Sequence, residues 1–196
     1  NKSGLRPDCE IAMNSASPSA RACSSRARAT GWAGQRSPTL DWPPAAAAAM
    51  PGARGTITVS GNLGEWTNTG STYIGNNGTG TVNVLTQGEF LGGVVYLGAG
   101  STGEGTLNVS NQSRFEATSF YIGYAGDGTF TLQQDATATT GRTVIADGIG
   151  SSGSATVATL SQWTLSNALT IGGGGVGTLL IKEGADVSGT AAYIGT

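Results

Sequence analysis

The sequence predicts an all-β protein, a right-handed parallel β-helix of about six coils with roughly 24 residues in each. A Gly-Thr-apolar-polar-apolar phrase begins at six glycines, which lie 25, 25, 23, 25 and 24 residues apart. Apolar and polar residues alternate within each copy, as they do along a strand with one buried face. Glycine supplies 33 of the 196 residues and charged residues only 11%, a composition that does not favour helices.

Each copy of the Gly-Thr phrase predicts one strand per coil. Its apolar residues share one parity and are expected to point into the core, whereas threonine, asparagine and serine take the outward parity. The predicted inward pairs are Ile57/Val59, Val82/Val84, Leu107/Val109, Phe130/Leu132, Ala155/Val157 and Leu179/Ile181.

A second phrase, typified by Tyr73-Ile74-Gly75, recurs with the same period and predicts a second strand in each coil. Its predicted inward residues are Ile74, Leu97, Ile122, Ile145, Ile171 and Ile194. A third column lies ten residues after each motif glycine from the second copy onward and comprises Phe90, Phe115, Ala138, Trp163 and Val187. In the first copy the equivalent Trp66 lies eleven residues after Gly55.

Glycine-rich segments such as Gly75-Asn76-Asn77-Gly78 separate the strands. Glycine and asparagine permit the positive φ that tight corners require. One such coil cannot bury its apolar face alone, but stacked coils do so, because each strand pairs with its equivalent about 4.8 Å above and below. Residues 55–196 are therefore predicted to form a rod roughly 30 Å long on that spacing.

Residues 1–54 are different in character, rich in alanine, serine, proline and arginine. They contain seven basic and three acidic residues, a net charge of +4, whereas residues 55–196 contain three basic and nine acidic residues, a net charge of −6. The first segment is predicted to be a basic extension that is disordered or forms a partial cap over the first coil, with Leu40, Trp42 and Pro43 as candidates for that cap. Its arginines are scattered without an aromatic platform, so no nucleic-acid partner is expected. Cys9 and Cys23 both lie here, without metal-ligand spacing, and whether they pair stays open.

The amino-acid sequence of the repeats resembles a known family. The segments STYIGNNGTGTVNV, VVYLGAGSTGEGTLNVSNQSRF and SFYIGYAGDGTFTL are similar to the repeat associated with type V secretion (autotransporters) and with PEP-CTERM proteins. The resemblance covers residues 55–196 and fades around residues 144–163, where Val144 and Ala146 replace the tyrosine and the glycine, which suggests a degenerate copy.

The resemblance implies a secreted β-solenoid stalk on a bacterial cell surface or outside the cell, with an adhesive or spacing role. Its expected partners are surface glycans or other cell-surface proteins. The chain begins with Asn1 and ends within a motif at Thr196, so it is expected to be a piece of a longer protein, attached to a membrane only through a region outside this sequence. The family repeat carries no catalytic residues of its own.

Two outward columns are candidate binding surfaces. The first is a ladder of hydroxyls and amides, which would resemble an ice-binding array; threonine favoured on a solvated strand face is the alternative explanation. The second is a tyrosine strip that would lie against sugar rings, or whose rings stack across coils merely for stability. The candidate residues are Thr81, Asn83, Thr106, Asn108, Thr129 and Thr131 in the ladder and Tyr73, Tyr96 and Tyr121 in the strip.

No catalytic, cofactor-binding or metal-binding residue is predicted. The chain has no histidine, which removes Ser-His-Asp and Cys-His sites and histidine-ligated metal centres. The calcium-binding Gly-Gly-x-Gly-x-Asp repeat is absent from the sequence. The fold class alone does not decide against catalysis, so a polysaccharide-binding or polysaccharide-degrading protein remains the alternative to a non-enzymatic stalk.

Overall fold

The computed structural model describes residues 45–47 and 50–196, and in these ranges every regular element is a β-strand. The strands are β1 Ala45–Ala47, β2 Arg54–Ser60, β3 Glu65–Ile74, β4 Thr79–Leu85, β5 Glu89–Leu97, β6 Glu104–Ser110, β7 Arg114–Ile122, β8 Asp127–Gln133, β9 Thr137–Ile145, β10 Ser152–Val157, β11 Gln162–Leu165, β12 Leu169–Ile171, β13 Val176–Ile181, β14 Asp186–Ser188 and β15 Ala192–Ile194. The described part of the chain includes no helix long and apolar enough to cross a membrane.

The strands stack into two parallel sheets that wind through six coils, which confirms the predicted solenoid. One sheet has the order β2-β4-β6-β8-β10-β13 and contains every copy of the Gly-Thr phrase. The other runs β1-β3-β5-β7-β9-β11-β14, with β12 and β15 continuing its second half beyond β9. We number the coils 1 to 6, from β2–β3 to β13–β15.

Sequence period and strand register coincide. Thr56 pairs with Thr81, Thr81 with Thr106 and Thr106 with Thr129, so equivalent residues of successive coils lie side by side. The third column is also aligned, since Trp66 pairs with Phe90 and Phe90 with Phe115. Coil 1 accommodates its extra residues in a longer turn before β3 and in a register shift between Asn68 and Ser71.

The core follows the predicted inward columns through coil 5. Its largest fully buried side chains are Trp163, Phe90, Phe115, Phe120, Phe130, Ile74, Leu97, Leu107, Ile122, Leu132, Ile145 and Val82. Each fully buried aliphatic or aromatic side chain contributes about 1.5–3 kcal/mol relative to an exposed one. In coil 6 the prediction of inward burial is wrong for Ile181 and Ile194, which are 47% and 77% exposed, because no described coil packs on that side of them.

The two sequence phrases meet at one corner of the coil. A Cβ added to Gly128 would overlap the backbone nitrogen of Gly123, the last residue of the Tyr-Ile-Gly phrase in the preceding coil. A Cβ added to Gly105 would overlap the nitrogen of Gly98 in the same way. Gly98 and Gly123 themselves have φ of 61° and 75°, a region that glycine enters readily. The motif glycines are therefore required by close approach of backbones.

The opposite corner of the coil, between the first and the second strand, is a turn whose conformation the sequence did not predict. Two successive residues of positive φ connect the first strand to the second, and most of them are not glycine: Thr86-Gln87, Asn111-Gln112, Gln134-Asp135, Thr159-Leu160 and Glu183-Gly184. These turns stack on one another, since the amides of Gln87 and Gln112 donate to the carbonyls of Asn111 and Gln134. Pairing between coils thus holds non-glycine residues in a backbone conformation that costs free energy locally.

Strand pairing extends into the segment assigned to the N-terminal extension. Ala45, Ala46 and Ala47 pair in parallel with Thr72, Tyr73 and Ile74, so β1 takes the place of a second strand ahead of coil 1. Residues 50–54 of the extension are also described, and Arg54 is the first residue of β2. The other residues of the extension, which include the candidate cap at Leu40, Trp42 and Pro43 and both cysteines, lie outside the described residues, as does the predicted disorder.

Candidate functional site

The tyrosines of the second strand form a stacked ladder, defined here as Tyr73, Tyr96 and Tyr121. Ring centroids are 5.1 Å apart between Tyr73 and Tyr96 and 5.0 Å between Tyr96 and Tyr121, with interplanar angles of 7° and 10°. The ring faces are therefore turned toward each other along the solenoid. What the ladder offers to solvent is a row of ring edges and phenol hydroxyls, so a sugar ring has no free face to lie against between these rungs.

A fourth tyrosine, Tyr124, completes this cluster and was not predicted. Its ring stands edge-on to Tyr96 and Tyr121, at centroid distances of 5.0 and 5.4 Å. It follows Gly123 at a corner position where no other coil has an aromatic residue, so the repeat pattern carried no signal for it. Burial, followed by the neighbouring tyrosines, raises the pKa of the Tyr96 phenol above its ordinary value of 10.0.

The ladder ends at Val144, the residue that pairs with Tyr121 in coil 4. Although Val144 has the outward parity, it is only 1% exposed. The corner of the next coil lies over it, since a Cβ at Gly173 would be 3.4 Å from Val144 Cγ1. Tyr193 occupies the same column two coils later and is 53% exposed.

The predicted hydroxyl and amide ladder is aligned on the outer face of the other sheet. Thr81, Thr106 and Thr129 form one column, and Asn83, Asn108 and Thr131 form the next. Within the second column Asn108 Nδ2 donates to Asn83 Oδ1 at 2.9 Å. These two side-chain amides therefore bond to each other with part of their donors and acceptors. The equivalent position in coil 6 is Leu180, 47% exposed.

Carboxylates and cations lie mainly on exposed strand ends. Glu104 pairs in register with Asp127, and Glu65 with Glu89, but no group of three or more metal-ligating side chains occurs in the described ranges. Asp127 is the first residue of strand β8. Hydrogen bonds from Thr159 and Lys182 lower the pKa of the Glu183 carboxyl.

A shallow groove runs along the sheet that contains the tyrosines. The pairing register of this sheet omits Gly93, Thr118 and Gly141. The buried side of each strand also changes parity at these residues, so each strand bends there. Outward side chains before and after the bend form its two walls, with Glu116 and Thr139 on one side and Ser119 and Arg142 on the other. The repeat pattern of the sequence does not reveal this groove.

No protein-family model, curated protein or solved structure matches this chain. The residues and their geometry therefore carry the functional argument. They provide a long stacked scaffold, a row of phenol edges, a flat hydroxyl array and one polar groove.

Proposed function

We propose that this chain is the repeat region of an autotransporter-like bacterial protein, secreted or exposed at the cell surface, in which the solenoid acts as a stalk and a contact surface. The observation that carries the proposal is the in-register stacking of six coils, which gives a solenoid with aligned columns on its outer faces. Each coil adds about 4.8 Å to the length of such a solenoid and repeats the same outward columns.

Two further features support a location outside the cytosol. The repeats from residue 55 onward contain no cysteine, which suits a chain that crosses an oxidising compartment before it folds. The sequence of the Tyr-Ile-Gly and Gly-Thr phrases resembles the repeat of type V secretion and PEP-CTERM proteins. Surface glycans and cell-surface proteins are the proposed partners.

The contact role is tested with beads that carry the full chain, exposed to bacterial cells under flow. We expect retention above that of beads carrying the Val109→Asp variant, in which a charge in the core disrupts the stack. Equal retention of both beads would contradict a contact role that depends on the folded solenoid. Far-UV circular dichroism of the same preparation tests the stacked strands, and a spectrum without a β-sheet signal would contradict the stalk.

The proposed role of the chain does not include catalysis. Hydrolysis of glycosidic bonds by paired carboxylates needs two acids that flank one bond, whereas Glu116 is the acid among the residues that line the groove. Incubation of the full chain with plant and bacterial polysaccharides is expected to release no reducing ends. Their release would favour the alternative, a polysaccharide-degrading protein.

Ice binding is the second candidate, favoured by the column of hydroxyl residues that runs in register from Thr56 to Thr178. Thermal hysteresis that disappears in Thr106→Tyr would support it. The hydrogen bond between Asn108 and Asn83 and the exposed Leu180 interrupt the array and favour the contact role.

A further inference from the structure

The groove at the bend is a concave surface with several polar side chains in its lining. It has a volume of about 490 Å³ and is lined by residues from coils 2 to 5. On the coil spacing of about 4.8 Å, it extends for roughly 14 Å along the solenoid. A ligand that fills it therefore has to be long and narrow, and to lie parallel to the axis.

Backbone packing makes the bend fixed in shape. A Cβ at Gly141 would overlap the carbonyl oxygen of Thr118 in the coil below, and a Cβ at Gly93 would overlap the carbonyl oxygen of Thr69. Thr118 Oγ1 donates to the carbonyl oxygen of Gly93 at 2.8 Å, which ties the floor of the groove across two coils. The groove is thus formed before any ligand arrives, and binding costs little ordering of the protein.

Its walls offer side-chain hydrogen-bond donors and acceptors from coils 3 to 5. Arg142 is exposed and makes no ion pair with any described residue, so its five N–H donors are available. Asn167 supplies an amide and Thr139 a hydroxyl, and both are exposed. Glu116 is an acceptor, although it shares its carboxylate with Arg114. Such a set complements a ligand rich in hydroxyls.

Charge decides which class of hydroxyl-rich chain fits. Residues 55–196 have a net charge of −6, and Glu116 stands in the wall of the groove. Arg142 in the same lining offsets Glu116, so an acidic glycan gains no net attraction within the groove and meets the net negative charge of the solenoid around it. A neutral chain does not encounter that repulsion.

We propose that this groove binds a linear neutral oligosaccharide, laid along the solenoid axis with about one sugar per coil. Arg142, Asn167 and Thr139 would hydrogen-bond to its hydroxyls, and the tyrosine ladder continues the same outer face beyond Ser119. The inference deepens the proposed surface role by naming a ligand class for it, and it rests on that proposal.

Isothermal titration of the full chain with cellohexaose, xylohexaose and chitohexaose tests this assignment. We expect at least one of these neutral chains to bind, and binding to weaken about tenfold in Arg142→Ala, since a hydrogen bond to a charged group is lost. Arg54→Ala is the matched control, because Arg54 is exposed, lies in β2 on the other sheet and likewise makes no ion pair with a described residue.

A second pair of variants tests the position of the ligand. Thr139→Tyr places a ring in the groove and is expected to abolish binding, whereas Thr137→Tyr, two residues earlier on the same face of β9, lies outside the lining and is expected to leave binding unchanged. Circular dichroism shows whether both variants fold as the parent does.

Three results would overturn the inference: no binding to any neutral hexasaccharide, tighter binding to a hexagalacturonate, or binding that Arg142→Ala and Thr139→Tyr leave unchanged. Each is distinguishable from a failure of the stalk proposal, because neither the β-sheet signal nor the bead retention requires this groove to be occupied.

Discussion

The close approach of the two sequence phrases predicts that the motif glycines tolerate no side chain at all. We take Gly128→Ala as the test. Its Cβ would overlap the nitrogen of Gly123 and lie 2.7 Å from the carbonyl carbon of Ile122. Both neighbours are backbone atoms of a stacked coil, so rotation of a side chain does not relieve the overlap.

The magnitude follows from two opposing effects. Overpacking a tight site costs about 1–3 kcal/mol, occasionally more, whereas replacing glycine by alanine restricts the unfolded chain and stabilises by about 0.4–1 kcal/mol. The first effect exceeds the second, since the backbone itself has to move. We expect Gly128→Ala to lower the free energy of unfolding by about 2 kcal/mol, which corresponds to a Tm lower by roughly 4–8 °C for a chain of this size.

Gly70→Ala is the matched control. A Cβ at Gly70 would meet only Asn68 Oδ1, at 3.6 Å, and its φ is not in the positive region. The variant is expected to be as stable as the parent or up to about 1 kcal/mol more stable. Guanidinium unfolding of the full chain, followed by far-UV circular dichroism, compares the two. If Gly128→Ala unfolds at the same denaturant concentration as Gly70→Ala, the corner is not packed as described.

Three other changes test the core and the ladder. Val109→Asp or Ile122→Asp traps a charge in the stacked core, where both parent side chains are fully buried, and should unfold the neighbouring coils, seen as lost circular dichroism; a parental melting curve would show that the inward assignment is wrong. Ser113→Ala should stabilise by about 1 kcal/mol in the same denaturation assay, because Ser113 Oγ is buried with no hydrogen-bond partner among the described residues; a loss of stability would reveal a partner. For Tyr96 the folded pKa is raised, so its contribution to stability is present below pH 10.0 and is lost as pH rises through the folded value. The stability of Tyr96→Phe should therefore decline less at alkaline pH than that of the parent, and identical declines would argue against a partly desolvated phenol.

The period of the sequence was sufficient to predict the register. Coils of nearly constant length place Thr81 beside Thr106 and Val82 beside Leu107, and one shifted residue would turn each side chain to the wrong face. The alternation of apolar and polar residues therefore predicted the core as well as the strands. It also placed Tyr73, Tyr96 and Tyr121 in one column, though not the direction in which their rings face.

Features that depend on contacts between coils were not predictable in this way. Thr86 and Gln87 adopt positive φ because the turn of the next coil lies against them, and their residue types carry no such preference. Val144 is buried by the corner above it, a relation that its parity does not reveal. The groove arises where strands bend at Thr118 as well as at Gly93 and Gly141, so only two of its three bends carried a glycine signal.

The weakest copy of the repeat shows what the stack requires of a sequence. In coils 4 and 5 the aromatic column changes from Phe115 to Ala138 and then to Trp163, and the small residue leaves room for the large one. Trp163 is fully buried, 5.2 Å from the ring of Phe130, and its indole nitrogen donates to Thr140 Oγ1 at 2.9 Å. At these positions the stack therefore requires that adjacent coils together fill the core and satisfy its hydrogen bonds. The residue in one column can vary if the residues of the neighbouring coils compensate for the change in volume.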